Sequence, residues 1–119
     1  MWEVKVESSF SSAHHLLNYD GACENQHGHN WRVEVFAQGD KLDKSNILID
    51  FKILKQKLNV LLDELDHADL NELKDFKDVS PSSEIISQYI YNRLKEDIPQ
   101  ISKVSVWETE KSCASYFEI

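Results

Sequence analysis

An α+β domain built on a mainly antiparallel sheet is the fold class the sequence predicts. Two segments of period-two alternation open the chain, two segments of helical period fill its middle, and two more alternating segments close it. Strands that come in runs around a helix pair, rather than alternating with single helices, argue against a parallel βαβ sheet. The length of 119 residues fits one domain over 1–119, enough to bury roughly two-thirds of the unfolded chain's surface.

The first strand is read from Trp2, Val4 and Val6 alternating with Glu3, Lys5 and Glu7. A second, from about His29 to Gln38, alternates Trp31, Val33 and Val35 with Arg32 and Glu34. Asn18, Asp20, Gly21 and Asn25 between them are turn residues. After a loop through Gly39-Asp40 and Asp43–Asn46, Asp50 reads as the N-cap of a helix. Phe51, Leu54, Leu58, Leu61, Leu62 and Leu65 form its apolar stripe, which stops near Asp66-His67. Asp69 to Ser80 reads as a polar stretch. Pro81-Ser82-Ser83-Glu84 then opens a second helix, with serines suited to capping and a carboxylate in the first turn. Its apolar face is Ile85, Ile86, Tyr89, Ile90 and Leu94, and Pro99 ends it. Val104 and Val106 mark a third strand, and Ala114 to Ile119 a fourth.

Composition narrows the function. The chain is 41% hydrophobic with three Trp, four Tyr and five Phe, a globular composition. A net charge of −8 argues against nucleic acid as a partner, because phosphate backbones need clustered Lys and Arg. No apolar run approaches the roughly 18 residues of a membrane span, and the first residues lack a signal-peptide pattern. Cys23 and Cys113 are therefore expected as free thiols in a reducing cytoplasm.

Four of the five histidines precede residue 30. In His27-Gly28-His29, strand geometry points both imidazoles to one face, about 6.5–7 Å apart along the chain. There they can converge on an ion at about 2.0 Å. Gly28 adds no side chain to crowd that approach. His14, just after the first strand, is the candidate third ligand, and three histidines leave a fourth position for water or substrate. Such a set also suits iron, nickel or copper. Standing alone, an HxH pair is more often two hydrogen-bonded histidines than a metal site. His15 neighbours His14 and should point away.

Cys23, four residues before His27, would have a depressed pKa beside a cation, making it a base or nucleophile. A small buried residue or a fourth ligand are the other readings. Cys113 reads as structural. In Asp66-His67 a carboxylate can orient an imidazole for proton transfer; a histidine favoured by the helix C-terminus explains the pair equally well. Glu108 shares a strand face with Val104 and Val106, which is costly without a partner. A guanidine-like ligand edge would serve. A strand bulge returning Glu108 to solvent would remove the need.

Taken together, six blocks resemble one family. They are Phe10-Ser-Ser-Ala-His14, Cys23-x-x-x-His27-Gly28-His29, Leu48-Ile-Asp50-Phe51, Leu65-Asp66-His67, Pro81-Ser-Ser-Glu84 and Trp107-Glu108-Thr109. In order, and across nearly the whole chain, they are similar to the signature blocks of the 6-pyruvoyltetrahydropterin synthase/QueD family. The resemblance implies the T-fold (ββααββ), an antiparallel sheet with two helices on one face. It further implies an oligomeric barrel, typically a homohexamer with active sites between subunits. It implies Zn2+ held by His14, His27 and His29, with Cys23 as the proton-abstracting thiol and Asp66-His67 as the acid/base pair. Glu108 would hold the pterin's amino-pyrimidine edge and join the charge relay, and Ser82 and Ser83 would contact the pterin.

The three residues between Cys23 and His27 resemble the 6-carboxytetrahydropterin synthases within that family. The implied reaction converts 7,8-dihydroneopterin triphosphate to 6-carboxy-5,6,7,8-tetrahydropterin, acetaldehyde and triphosphate in queuosine biosynthesis. A 6-pyruvoyl-forming synthase and a non-catalytic zinc- or pterin-binding protein are the competing readings. Ala22 and His15 stand where many relatives carry basic residues. Triphosphate contacts would have to come from Lys5, Arg32, Lys111 or a neighbouring subunit.

Overall fold

A computed structural model describes residues 1–17 and 25–119. The elements are β1 (Trp2–His14), β2 (His27–Gly39), α1 (Phe51–Asp63), β3 (Ala68–Asp69), α2 (Ser83–Asp97), β4 (Ile101–Thr109) and β5 (Ser112–Tyr116). They form one sheet in the order β3-β1-β2-β4-β5. All pairings are antiparallel except the two-residue contact of β3 with β1.

β1 runs to His14, well past the apolar alternation of its first residues. Its core-facing positions continue as Phe10, Ser12 and His14, where polar side chains interrupt the hydrophobic signal. The buried Ser12 hydroxyl is satisfied by donating to the Leu65 carbonyl. That bond also ties the end of α1 to the strand.

Both helices cover the same face, α1 over β1 and α2 over β4 and β5. Leu54, Leu58, Leu61 and Leu62 from α1 meet Ile86, Ile90 and Leu94 from α2. Beneath them lie Phe10, Trp31, Val33, Val35, Val104 and Val106 of the sheet. Asp50 caps α1 by accepting from the Lys52 amide at 2.8 Å. Ser82 caps α2 by accepting from the Ile85 amide at 3.2 Å. Both caps stand where the sequence puts them.

Three expectations need correction. Residues 69–80 form two single-turn 3-10 helices, Leu70–Glu72 and Lys74–Phe76, which bury Leu70 and Phe76 completely. Isolated apolar residues spaced for a 3-10 turn do not make the helical stripe that pattern reading seeks. β5 is Ser112–Tyr116 rather than 114–119, and Phe117 beyond it is exposed. Cys113 on β5 is an exposed free thiol and packs no core.

Among the described residues, no helix covers the opposite face of the sheet. Glu34 lies there, buried, accepting from Lys5 Nζ at 2.9 Å and from Trp107 Nε1 at 2.5 Å. Burial pushes its pKa up, and these two donors more than reverse the effect, leaving the carboxyl below its usual range. No helix among the described residues is long and apolar enough to cross a membrane.

Truncating Phe76 tests whether the 69–80 segment is core or loop. Phe76→Ala should destabilise by about 3–5 kcal/mol in urea unfolding, where a surface loop residue would change stability by less than about 0.5 kcal/mol.

Candidate metal centre and active site

The site is assembled by strand register. His14, the last residue of β1, pairs with His27, the first of β2, and Ser12 pairs with His29. His14, His27 and His29 thereby share the helix-covered face with Trp31. The indole is fully buried and forms the floor. Its ring meets His14 at 4.8 Å and His29 at 5.2 Å, both edge-on. Its Nε1 donates to the Ser12 carbonyl at 3.2 Å.

Two backbone carbonyls set the tautomers. His14 Nδ1 lies 2.8 Å from the Pro81 carbonyl, and His27 Nδ1 2.7 Å from that of Asn25. A carbonyl only accepts, so both Nδ1 atoms carry the proton and each Nε2 presents a lone pair. These two Nε2 atoms are 3.0 Å apart. Two lone pairs at that distance repel unless a cation lies between them. Ligands each about 2.0 Å from a tetrahedral ion stand about 3.3 Å apart, close to this spacing. His29 Nε2 is buried and makes no hydrogen bond. It lies 2.8 Å from Glu108 Oε1, which is 3.9 Å from each of the other two Nε2 atoms. All four ligand atoms fall within 4.8 Å of one another. The donor set of imidazoles and a carboxylate fits a divalent metal ion. Burial lowers the His14 pKa and keeps the ring neutral, as a ligand must be.

Glu108 reaches the histidines from a bulge. Trp107 pairs with Cys113 and Thr109 with the adjacent Ser112, so Glu108 is the extra residue of β4. A bulge re-aims its side chain. Here it leaves the carboxylate over the imidazoles rather than returning it to solvent. The buried Ser83 hydroxyl donates to Oε2 at 3.4 Å. Ser82 is the α2 cap, its hydroxyl already engaged by the Ile85 amide.

Asp66 and His67 form a separate unit. Asp66 Oδ1 accepts from the Ser11 amide at 2.8 Å, and Oδ2 lies 2.9 Å from His67 Nδ1. The Ser11 amide, with the imidazole assisting, holds the Asp66 carboxyl below its usual range. His67 has φ 52, the left-handed region, and its amide donates to the Ser11 carbonyl at 2.5 Å. Its side chain is 83% exposed. Among the described residues, no hydrogen bond or ion pair joins this unit to the histidine cluster.

Other candidates fall elsewhere. Cys23 lies outside the described residues. His15 bonds Gln26 Oε1 through Nδ1 at 2.9 Å, away from the cluster. Lys5 and Arg32 occupy the opposite sheet face with Glu34, and Lys111 lies in the turn after β4. Gly28 also alternates onto that opposite face, so it does not clear the histidines' approach. A Cβ there would sit 4.0 Å from the Ser12 carbonyl, an ordinary contact. The parts that sequence reading misses are the Pro81 and Asn25 carbonyls, which no side-chain pattern reports, and the Trp31 floor. Trp31 was legible as His29 plus two on the same face.

The site stands in a recognisable context. The family profile described as 6-pyruvoyl tetrahydropterin synthase matches residues 3–118. The chain is 37% identical to a Synechocystis protein named 6-carboxy-5,6,7,8-tetrahydropterin synthase, over 98% of this chain and 94% of that one. A Haemophilus influenzae protein of the same name is 32% identical, covering 99% and 100%. The structure of Caenorhabditis elegans 6-pyruvoyl tetrahydropterin synthase superposes with a TM-score of 0.90 at 28% identity, covering 99% and 96%.

If the three convergent imidazoles hold the ion, His14→Ala, His27→Ala and His29→Ala each purify with little metal, and His15→Ala keeps the wild-type content. Elemental analysis of untagged protein makes the comparison.

Proposed function

The chain belongs to the 6-pyruvoyl tetrahydropterin synthase family, and within it we propose that this protein is a zinc-dependent 6-carboxytetrahydropterin synthase. It converts 7,8-dihydroneopterin triphosphate to 6-carboxy-5,6,7,8-tetrahydropterin, acetaldehyde and triphosphate, a lyase step in queuosine biosynthesis. The observation that carries this reading is the convergence of three Nε2 atoms and Glu108 in a chain 37% identical to a synthase of that name. The five-stranded sheet with both helices on one face is the T-fold.

His14, His27 and His29 hold the ion, and zinc supplies Lewis acidity toward the substrate's side-chain oxygens. Cys23, a thiolate in a reducing cytoplasm, removes a side-chain proton. His67, held by Asp66 through Nδ1, exchanges protons at Nε2. Glu108 accepts the amino-pyrimidine edge with both carboxylate oxygens and so fixes the ring. Ser83 steadies that carboxylate.

The Asp66-His67 pair is exposed in the single chain and serves a site completed by another copy. The assembly of this reading is an oligomeric barrel, a homohexamer. β3 covers only Ser12 and Ala13 of the β1 edge, and an edge left open in this way invites strand pairing between copies.

Incubation with 7,8-dihydroneopterin triphosphate and mass identification of products tests the reaction. Acetaldehyde with 6-carboxytetrahydropterin is expected. Triphosphate release without acetaldehyde would instead support 6-pyruvoyl formation, with which the similarity to the Caenorhabditis elegans structure is consistent. Cys23→Ala should retain zinc and lose turnover.

His67→Asn separates catalysis from backbone strain. Asn tolerates the left-handed conformation, so the melting temperature should hold while turnover falls about 10²- to 10⁴-fold.

A further inference from the structure

Glu34 is a buried carboxylate for which the proposed reaction has no use. It lies on the sheet face away from the histidines, with its side chain 11% exposed, and a carboxylate in that setting is costly without partners. Its two oxygens have different partners. Oε2 meets Lys5 Nζ at 2.9 Å, a half-exposed lysine that Glu7 also reaches at 3.9 Å. Oε1 accepts from Trp107 Nε1 at 2.5 Å. The Arg32 guanidinium lies over the same indole, 4.5 Å from its centroid. Two side chains of β2 thus hold Trp107, one at the edge of its ring and one on its face.

The residue so held stands at a break in the sheet. The pairs of β2 with β4 end at Arg32 opposite Trp107. On the other side, β5 pairs Trp107 with Cys113 and Thr109 with Ser112, which leaves Glu108 as the bulge. Glu108 therefore has no paired residue on either neighbouring strand. From α2 it receives the Ser83 hydroxyl at 3.4 Å, a long hydrogen bond. A bulge can twist and re-aim the side chain it carries. The aim of Glu108 then depends on how firmly Trp107, one residue before it, is fixed.

We propose that Glu34 is a positioning residue: by locking the Trp107 indole it sets the aim of Glu108, and with it the selectivity of the site for a ring that carries an amino-pyrimidine edge. Bidentate pairing needs both carboxylate oxygens in the plane of that edge, so a small rotation of β4 at the bulge costs one of the two bonds. The lock acts from the far face of the sheet and touches neither ring nor metal ligands. The selectivity rests on the pterin reading above; the lock on the bulge does not.

Two variants of the full-length chain break the lock from opposite ends. Glu34→Met removes the acceptor at similar volume, and Lys5 keeps Glu7 as a neighbour. Trp107→Phe removes the donor and keeps a ring beside Arg32. Both should fold and hold metal as wild type does, which thermal melting and elemental analysis check. Wild type should bind pterin more tightly than lumazine, which has a carbonyl in place of the 2-amino group. In both variants that preference should fall about 10-fold, through weaker pterin binding with lumazine binding unchanged. A merely structural role would weaken both ligands alike; that result, or an unchanged preference, would overturn the selectivity. Hydrogen exchange of the 107–110 amides, measured without ligand, should be faster in Glu34→Met than in wild type, and equal rates would overturn the lock. Faster exchange in Glu34→Met, with no preference for pterin over lumazine in wild type, would uphold the lock and overturn the pterin reading of Glu108.

Discussion

Thirteen consecutive pairs join β1 to β2, from Trp2 opposite Gly39 to His14 opposite His27. Side chains alternate between faces with a period of two, so a slip of one residue would turn one strand's whole core set outward. If β2 slipped, Trp31, Val33 and Val35 would leave the core, and His27 and His29 would part from His14. The apolar residues of the central strands therefore enforce the pairing that builds the site. Stability and the convergence of the histidines share one register.

The helices convert that register into fixed side-chain positions. His14 Nδ1 is bound to the Pro81 carbonyl just ahead of α2, and the Ser82 cap sets where that helix starts. The first turn of α2 also brings Ser83 to Glu108. One helix start thus orients a histidine from β1 and steadies a carboxylate from β4. Packing of α2 on β4 and β5 holds these relations. Orienting groups of this kind shape the basicity and aim of a metal ligand.

The catalytic candidates divide by location in the same way. The histidines and Glu108 lie on the helix-covered face at one end of the central strands. Asp66-His67 lies where α1 gives way to β3, anchored to Ser11 by two backbone contacts. The left-handed backbone at His67 is strain of the kind held at functional positions. Lys5 and Arg32 serve Glu34 on the other face. Their charges belong to the uncovered surface of the sheet rather than to the histidine pocket.

Much of this was legible in the residues alone, where local physics suffices. Alternation located the central strands, leucine spacing located α1, and Asp50 and Ser82 marked the helix starts, because these signals depend on neighbours in sequence. The His27-Gly28-His29 spacing and the position of Glu108 on a valine face pointed to the residues that the structure brings together. Long-range pairing decided the rest. Serines hid the second half of β1, and isolated apolar residues hid the buried turns at Leu70 and Phe76. The carbonyls that set the imidazole tautomers carry no residue signature at all. Only the tertiary structure shows that Glu108 meets the histidines, since that meeting needs the register of β2 on β4 and a bulge against β5. The sequence determined which groups are available to bind a metal; the fold decided which of their atoms converge, because convergence depends on strand register and backbone contacts between residues far apart in the chain.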